Sequence, residues 1–176
     1  MSEAVSGALS DAVSDAVSEA LKDALSEALI IDSRVYVAGH RGLVGSAIVR
    51  HLQGTGHRHL LLRTRQELDL TDLVATEAFF ASAKPSHVVL ARAKAGGIVA
   101  NQSLRAEFNR DNLAIQSHLI HAARNHGVER LLFLGSSCIC PRLAPQPLQE
   151  SSLLSGPLAP TNRPYALAKI AGIEIC

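Results

Sequence analysis

The sequence predicts an α/β fold, in which a parallel sheet is covered by helices on both faces. Short β-branched and aliphatic runs alternate with segments of helical periodicity along most of the 176 residues. Glycine and proline residues mark the junctions between these segments. Strands that alternate with helices of this length favour a parallel sheet whose crossover helices lie on both faces.

The composition fits about one domain with an aliphatic core, because 47% of residues are hydrophobic but only four are Phe, two Tyr and none Trp. The net charge of +1 gives no overall signal for nucleic acid or for an acidic membrane. Residues 1–29 hold six acids and one lysine, whereas residues 30–176 hold ten acids and sixteen Lys or Arg. The globular part is therefore modestly basic, which suits an anionic ligand.

The cysteine content and the N-terminal sequence indicate the cellular compartment of the protein. Three cysteines without a disulfide-like spacing suggest a reducing compartment. The acidic N-terminus argues against a secretory signal and an Arg-rich transit peptide, and no apolar run approaches the length of a membrane span. We expect a cytoplasmic protein.

Residues 1–32 are expected to form a separate helical arm of low complexity. Ser2 to Leu29 consists of seven tetrapeptides, SEAV, SGAL, SDAV, SDAV, SEAL, KDAL and SEAL. A period of four on a helix of 3.6 residues per turn shifts the apolar stripe by about 40° per repeat. The stripe therefore winds around the helix. A partner-binding arm remains the alternative to low-complexity sequence without a dedicated role, which the composition favours.

Residues 33–176 are expected to form one Rossmann-type domain with four strands and four helices. The predicted strands begin at Arg34 and cover His59–Leu62, His87–Ala91 and Arg130–Leu134, and the helices cover Leu43–Leu52, Leu73–Ala83, Phe108–Asn125 and Tyr165–Ile175. Gly54 to Gly56, Pro85 and Gly127 end the first three helices, and a Pro-rich loop, Pro141 to Pro164, precedes the fourth. A full nucleotide-binding sheet of this kind has about six or seven strands, so we expect an incomplete sheet.

The first junction carries three glycines, Gly39, Gly42 and Gly45, at the spacing G-x-x-G-x-x-G. They fall where the first strand ends and the first helix begins. A dinucleotide pyrophosphate binds at a helix N-terminus only if the backbone can approach it closely. We expect Gly39 to form the tight turn, Gly42 to approach phosphate and Gly45 to pack the helix on the strand. A plain strand-to-helix turn is the alternative.

Two arginines are expected to lie near the phosphates of a ligand bound at this turn. Arg63 follows the second strand, where a dinucleotide fold meets the adenosine ribose, and an arginine there accommodates a 2′-phosphate. Arg41 lies within the glycine turn and could reach the same phosphate. The pattern favours NADP over NAD, with solvated surface charges as the alternative. Asp69 and Leu70 are expected near the adenine.

Small polar residues follow the fourth strand, beginning with Ser136. Further on, Tyr165 and Lys169 lie four residues apart, on one face of the last helix. A lysine ammonium beside a tyrosine would lower the pKa of the phenol and make it a usable proton donor. Ser136 could polarise the same carbonyl substrate. No histidine lies at a metal-ligand spacing with acids or cysteines, so no metal site is predicted.

These features together resemble the extended short-chain dehydrogenase/reductase family, and within it the GDP-L-fucose synthases (GDP-4-keto-6-deoxy-D-mannose epimerase-reductases). The similar stretches are Ala38–Ser46, Leu62–Arg65, Ala93–Ile98, Leu131–Ile139 and Pro164–Gly172. They run through the whole chain except the N-terminal arm.

The resemblance implies a cofactor, a substrate and residue roles. NADP(H) would contact Gly39, Arg41, Gly42, Leu43, Val44, Gly45, Arg63, Asp69, Leu70 and Lys169. Tyr165 would donate a proton at the sugar C4 oxygen, Lys169 would hold the nicotinamide ribose, and Ser136 would orient the carbonyl of a GDP-sugar. Cys138 would be the acid/base of epimerisation, with a small buried thiol as the alternative. The last helix would take part in a homodimer.

The sequence also departs from the pattern it resembles. Cys140 replaces a tyrosine near the substrate, and Arg92 stands where a small residue lies beside the dinucleotide. The histidine that assists epimerisation, and the substrate domain, would lie beyond Cys176. Two functions therefore remain: an NADP-dependent epimerase/reductase, or a non-catalytic NADP-binding or structural partner protein derived from one.

Overall fold

The structure is a computed structural model that describes residues 31–94 and 103–176. The predicted tetrapeptide-repeat arm lies outside the described residues. So do residues 95–98 of the Ala93–Ile98 stretch on which part of the resemblance rests.

The described strands form one four-stranded parallel sheet: β1 (Val35–Ala38), β2 (Leu60–Leu61), β3 (His87–Leu90) and β4 (Arg130–Phe133). Their order is β2-β1-β3-β4, and Val35 pairs with both Leu60 and His87. The chain moves outward from β1 to β2 and then returns to the other side of β1. The switch point therefore lies between β1 and β3, where open sheets of this class bind ligands outside the strands' carboxyl ends.

The described helices are α1 (Leu43–Gly54), α2 (Leu73–Ala83), α3 (Arg105–Asn125) and α4 (Arg163–Ile175). Two short 3₁₀ turns, Ser137–Ile139 and Glu150–Ser152, lie in the loop between β4 and α4. The start of α4 was predicted two residues late, because Pro164 was assigned to the loop. Proline fits the first helical turn, where its missing N–H has no partner to lose.

The sheet is covered on both faces, which confirms the predicted doubly wound α/β class. Tyr36 and Leu90 face one cluster with Phe80 of α2 and Leu119 of α3. The alternate positions of the same strands, including Val37, face a second cluster with residues of α1, Ile48 and Leu52. Side chains alternate between the faces of a strand, so two apolar faces require two helical layers. Among these described helices, none combines the length and apolar character needed for a membrane span.

Helix α4 packs closely on α3. Gln116 of α3 is buried and donates a hydrogen bond from Nε2 to the carbonyl oxygen of Ala168 in α4. A Cβ added to Gly172 would lie 2.5 Å from Cζ of Phe133 and 2.8 Å from Oε1 of Gln116. This packing fixes α4 beside the carboxyl end of β4, and it brings Tyr165 and Lys169 to that edge of the sheet.

Candidate active site

The glycine turn after β1 is required by the fold at two of its three positions. Gly39 has φ +88°, and an added Cβ would lie 2.8 Å from the backbone nitrogen of Arg92. A Cβ on Gly45 would collide with the carbonyl oxygen of Gly39. The turn is thus pressed against the exit of β3 on one side and against α1 on the other.

Gly42 is different, because the protein itself leaves room at this position. Among the described residues, an added Cβ would meet only the carbonyl oxygen of Gly39, at 3.4 Å, and Gly42 lines an open cavity. No side chain caps the N-terminus of α1. A glycine that opens space beside uncapped amides fits the close approach of a phosphate.

The cavity has a volume of about 580 Å³ and lies over the carboxyl ends of β1, β2 and β3. Its lining includes most of the residues predicted for the adenosine end of a dinucleotide: Gly39, Arg41, Gly42, Arg63, Asp69 and Leu70. Leu43, Val44 and Gly45, which were also predicted to contact the cofactor, do not line it. Leu43 is 54% exposed, Val44 packs against the α1 core cluster and Gly45 packs against Gly39.

The cavity wall carries more positive than negative charge. Arg41, Arg63 and Arg92 line it and have no carboxylate partner in residues 31–94 and 103–176. Arg63 instead donates to the carbonyl oxygen of Leu62 (2.9 Å) and lies over the ring of Phe79. An anion entering this space would meet three guanidinium groups that form no ion pair with a carboxylate of the described residues.

Two buried polar residues of α3 fix the wall of the same cavity. Asn112 accepts a hydrogen bond from the Lys94 N–H (2.6 Å) and donates one to the Lys94 carbonyl oxygen (2.9 Å). Asp111 forms ion pairs with Nζ of Lys94 (2.6 Å) and with Nη2 of Arg110 (2.7 Å). The hydrogen bond from Lys94 is the largest cause of a lowered pKa of Asp111, and the hydrogen bond from Arg110 is the next. Sequence reasoning missed this pair. The signal was two polar residues on the helix face that also carries Ile115.

The second part of the site lies at the carboxyl end of β4. Ser136 precedes the first 3₁₀ turn, and its Oγ lies 3.1 Å from Sγ of Cys138. Tyr165 of α4 is partly buried nearby, and both Ser136 and Cys138 are near enough to influence the pKa of its phenol. Cys138, Cys140 and Cys176 are all free thiols. The structure therefore brings three of the four predicted catalytic residues together directly.

Lys169 is buried, with 4% of its surface exposed, and its Nζ donates to the carbonyl oxygen of Leu134 at 2.6 Å. The ammonium also lies 4.5 Å from the ring centroid of Phe133 and 6.0 Å from that of Tyr165. Burial lowers the pKa of Lys169, while the nearby Cys138 opposes this shift. The lysine thus ties α4 to the exit of β4.

The expected effect of Lys169 on Tyr165 needs correction. Burial, with a smaller contribution from Cys138, raises the pKa of Tyr165, and the Ser136 hydroxyl opposes the rise. Lys169 is not among the causes of this shift; its ammonium donates to the Leu134 carbonyl oxygen and lies 6.0 Å from the centroid of the Tyr165 ring. Tyr165 is therefore a partly buried phenol whose pKa is raised, and the spacing of four residues alone did not predict that.

The two parts of the site lie along one edge of the sheet. Arg63 follows β2, the glycine turn follows β1, Arg92 follows β3 and Ser136 follows β4. Neighbouring strands lie about 4.8 Å apart, so the line from β2 to β4 spans roughly 14 Å. An extended ligand could contact the arginine cavity at one end and the Ser136–Tyr165 group at the other.

Comparison with known proteins gives a consistent result. The model of the NAD dependent epimerase/dehydratase family matches residues 35–176. GDP-L-fucose synthase 1 of Arabidopsis thaliana is 58% identical over 144 residues, which cover 82% of this chain and 45% of the relative. GDP-L-fucose synthase of Escherichia coli is 58% identical over 143 residues, which cover 81% and 44%. The chain thus spans somewhat under half the length of these curated relatives.

A solved structure agrees in fold. The GDP-mannoheptose C4 reductase MlghC of Campylobacter jejuni, solved with NADP bound, superposes with a TM-score of 0.81 at 40% identity. The match covers 84% of this chain and 47% of the reductase.

Proposed function

Because the chain belongs to the NAD dependent epimerase/dehydratase family, we propose that it binds NADP(H) and reduces a GDP-4-keto-6-deoxy sugar in the manner of a GDP-L-fucose synthase. The main support for this proposal is that the arginine-lined cavity lies along the same edge of the sheet as Ser136, Tyr165 and Lys169. The names of similar proteins, GDP-L-fucose synthases and an NADP-bound GDP-sugar reductase, support this substrate and cofactor.

The residues present fit NADP(H). The space at Gly42 suits a phosphate, and Arg41 and Arg63 suit a 2′-phosphate because their guanidinium groups lack carboxylate partners in the described part of the chain. Asp69 and Leu70 would lie by the adenosine end. When bound, NADPH would supply the hydride for the ketone carbon.

The chain's own residues would then manage the proton and the carbonyl. A proton donor must be protonated at neutral pH, and burial, which raises the pKa of Tyr165, keeps its phenol in that form. The Ser136 hydroxyl would donate to the substrate carbonyl and orient it toward Tyr165. Lys169 would hold the nicotinamide ribose, and Cys138 would act as acid/base at a carbon beside the ketone.

Binding and turnover test the proposal separately. We expect NADPH to raise the thermal midpoint of the purified chain more than NADH does, because ligands of the folded state stabilise it. We expect loss of absorbance at 340 nm when GDP-4-keto-6-deoxy-D-mannose is added to the chain with NADPH. Tyr165→Phe should reduce this turnover by about a hundredfold or more while retaining NADPH binding. If neither cofactor shifts the midpoint, a nucleotide-based function is wrong.

A non-catalytic NADP-binding protein is the second candidate. It is supported by the cavity after β1, β2 and β3, which gathers the proposed cofactor contacts Arg41, Gly42 and Arg63 without any of the proposed catalytic residues. A midpoint shift with NADPH and no turnover of the GDP-sugar would favour it over the reductase.

We also propose that the chain self-associates through α4. Leu167 and Ile175 of this helix are 42% and 46% exposed. Covering such apolar side chains with a second copy would be favourable. Light scattering after gel filtration should give twice the monomer mass, and Leu167→Glu should reduce it. The three free cysteines support a reducing, cytoplasmic location within the same proposal.

A further inference from the structure

We propose that Arg92 is a further specificity-determining residue of this site, which binds the 2′-phosphate of NADP(H) together with Arg41 and Arg63. The inference rests on the proposed function, because it concerns the cofactor that the cavity would hold. It assigns a role to a residue that departs from the pattern the sequence otherwise resembles.

Arg92 stands at the switch point of the sheet. It is the second residue after β3, and its backbone nitrogen would lie 2.8 Å from a Cβ added to Gly39 after β1. Its side chain is partly buried and contributes to the lining of the cavity. A ligand in the crevice between β1 and β3 must therefore pass this residue.

The backbone that carries Arg92 is fixed on both sides. On one side, the N–H of Ala91 donates to the carbonyl oxygen of Ala38 (3.0 Å). On the other, Asn112 binds both the N–H and the carbonyl oxygen of Lys94. These contacts fix the backbone from which the Arg92 side chain extends into the cavity, so that part of the site needs no reordering on binding.

Charge pairing separates Arg92 from the other cations of the region. Lys94 and Arg110 both pair with Asp111, and Arg65 lies 3.4 Å from Asp69. Within residues 31–94 and 103–176, Arg41, Arg63 and Arg92 have no such partner, although all three line one cavity. Guanidinium groups without a direct ion pair repel each other, and an anion of high charge that binds among them relieves this repulsion. A phosphate monoester dianion meets that requirement.

The position of Arg92 relative to Arg63 favours the 2′-phosphate over the pyrophosphate. Tyr36, Arg63 and Arg92 line the same cavity, and Arg63 lies over the ring of Phe79, whose centroid is 4.7 Å from that of Tyr36. Burial raises the pKa of Tyr36, and the positive charges of Arg63 and Arg92 both oppose the rise. Arg63 follows β2, where the adenosine ribose lies in folds of this kind. Arg92 shares the cavity wall with Arg63, so the 2′-phosphate of that ribose is its proposed partner.

The test compares probes that do and do not carry the 2′-phosphate. Dissociation constants for NADPH, NADH, 2′,5′-ADP and 5′-ADP would be measured by calorimetry on the full chain and on Arg92→Ala and Arg92→Lys. We expect Arg92→Ala to weaken NADPH and 2′,5′-ADP at least tenfold, about 1.4 kcal/mol at 25 °C, with NADH and 5′-ADP unchanged. Arg92→Lys should recover part of the loss, because lysine keeps the charge without the planar guanidinium.

Arg110→Ala is the matched control, since Arg110 is a neighbouring cation that is exposed and does not line the cavity. It should leave all four constants unchanged. Equal loss of NADPH and NADH in Arg92→Ala would place the side chain on the pyrophosphate and overturn the proposal. Unchanged or tighter NADPH binding would also overturn it, the latter because Arg92 then crowds the cofactor. If the unaltered chain binds neither NADPH nor 2′,5′-ADP, the proposed function itself fails.

Discussion

Single residues of the glycine turn serve different ends, although their spacing is regular. Gly39 and Gly45 are glycines because backbone atoms of Arg92 and of Gly39 itself occupy the space of a side chain. Gly42 has no such neighbour and borders the cavity. The fold therefore depends on the first and third glycines, whereas the second is the one that we propose leaves room for the ligand.

Alanine substitutions should separate these roles. Gly45→Ala should lower the free energy of unfolding by about 1–3 kcal/mol, because the new methyl group overlaps the Gly39 carbonyl oxygen. Gly42→Ala should keep the free energy of unfolding within about 1 kcal/mol of the original, because the new methyl group has room. It should weaken NADPH binding, because this methyl group projects into the cavity where we propose that the phosphate binds. Urea denaturation and NADPH titration measure the two effects.

Gly54, the last residue of α1, provides the control, because an added Cβ there meets nothing within 4 Å. Gly54→Ala should be neutral or stabilising by up to about 1 kcal/mol, since alanine restricts the unfolded chain and favours helix. If Gly45→Ala were as stable as Gly54→Ala, the close packing of α1 on the turn would be wrong.

At the scale of elements, the sequence predicted the bounds of helices better than the contacts between distant segments. Helix α2 begins and ends where predicted, because Asp72 caps it through the N–H of Ala75 and Pro85 stops it. Tyr165 and Lys169 do lie on one helix. However, Lys169 binds the carbonyl oxygen of Leu134, which lies 35 residues earlier on the chain. No local pattern encodes such a partner, so the sequence predicted the helix that carries the two residues but not the atom that Lys169 binds.

The contact between Asn112 of α3 and the backbone of Lys94 after β3, called here the clamp, also joins distant segments. Asn112 is 4% exposed and satisfies both backbone groups of Lys94. Asn112→Ala should therefore lower the free energy of unfolding by about 1–3 kcal/mol, because it leaves these groups without partners. It should also weaken NADPH binding, because Arg92 would lose its fixed backbone. Both effects are measurable by urea denaturation and calorimetry.

Asn125 on the same helix is a suitable control, because it is exposed and, within the described part of the chain, its side chain makes a single hydrogen bond, to Glu77 (3.2 Å). Asn125→Ala should change the free energy of unfolding by less than about 0.5 kcal/mol. Equal effects of the two substitutions would show that the clamp contributes nothing special.

At the scale of the whole molecule, carboxylates join elements that the sheet alone does not hold together. Asp111 connects α3 to the segment after β3, and Glu77 of α2 lies 2.7 Å from Nε2 of His126 at the end of α3. Glu67 and Asp69 bind the N–H groups of Thr64 and Thr71 in the segment between β2 and α2. In each case a hydrogen bond is the largest cause of a lowered pKa.

These shifts predict how stability depends on pH. A carboxyl group whose pKa is lower in the folded than in the unfolded state stabilises the fold fully above its unfolded value, about 3.9 for Asp and 4.3 for Glu. That contribution disappears as the pH falls through the lower, folded value. The free energy of unfolding should therefore be level near pH 7 and fall progressively below about pH 5, which urea denaturation at pH 7, 5, 4 and 3 would measure.

Asp111→Asn should lower the free energy of unfolding at pH 7 and reduce its decrease with falling pH, because Lys94 and Arg110 then lose their carboxylate partner. Glu150→Gln, at an exposed carboxylate without an ion pair in the described structure, should leave the slope unchanged. An Asp111→Asn slope as steep as that of the unaltered chain would mean that this junction does not contribute to acid stability.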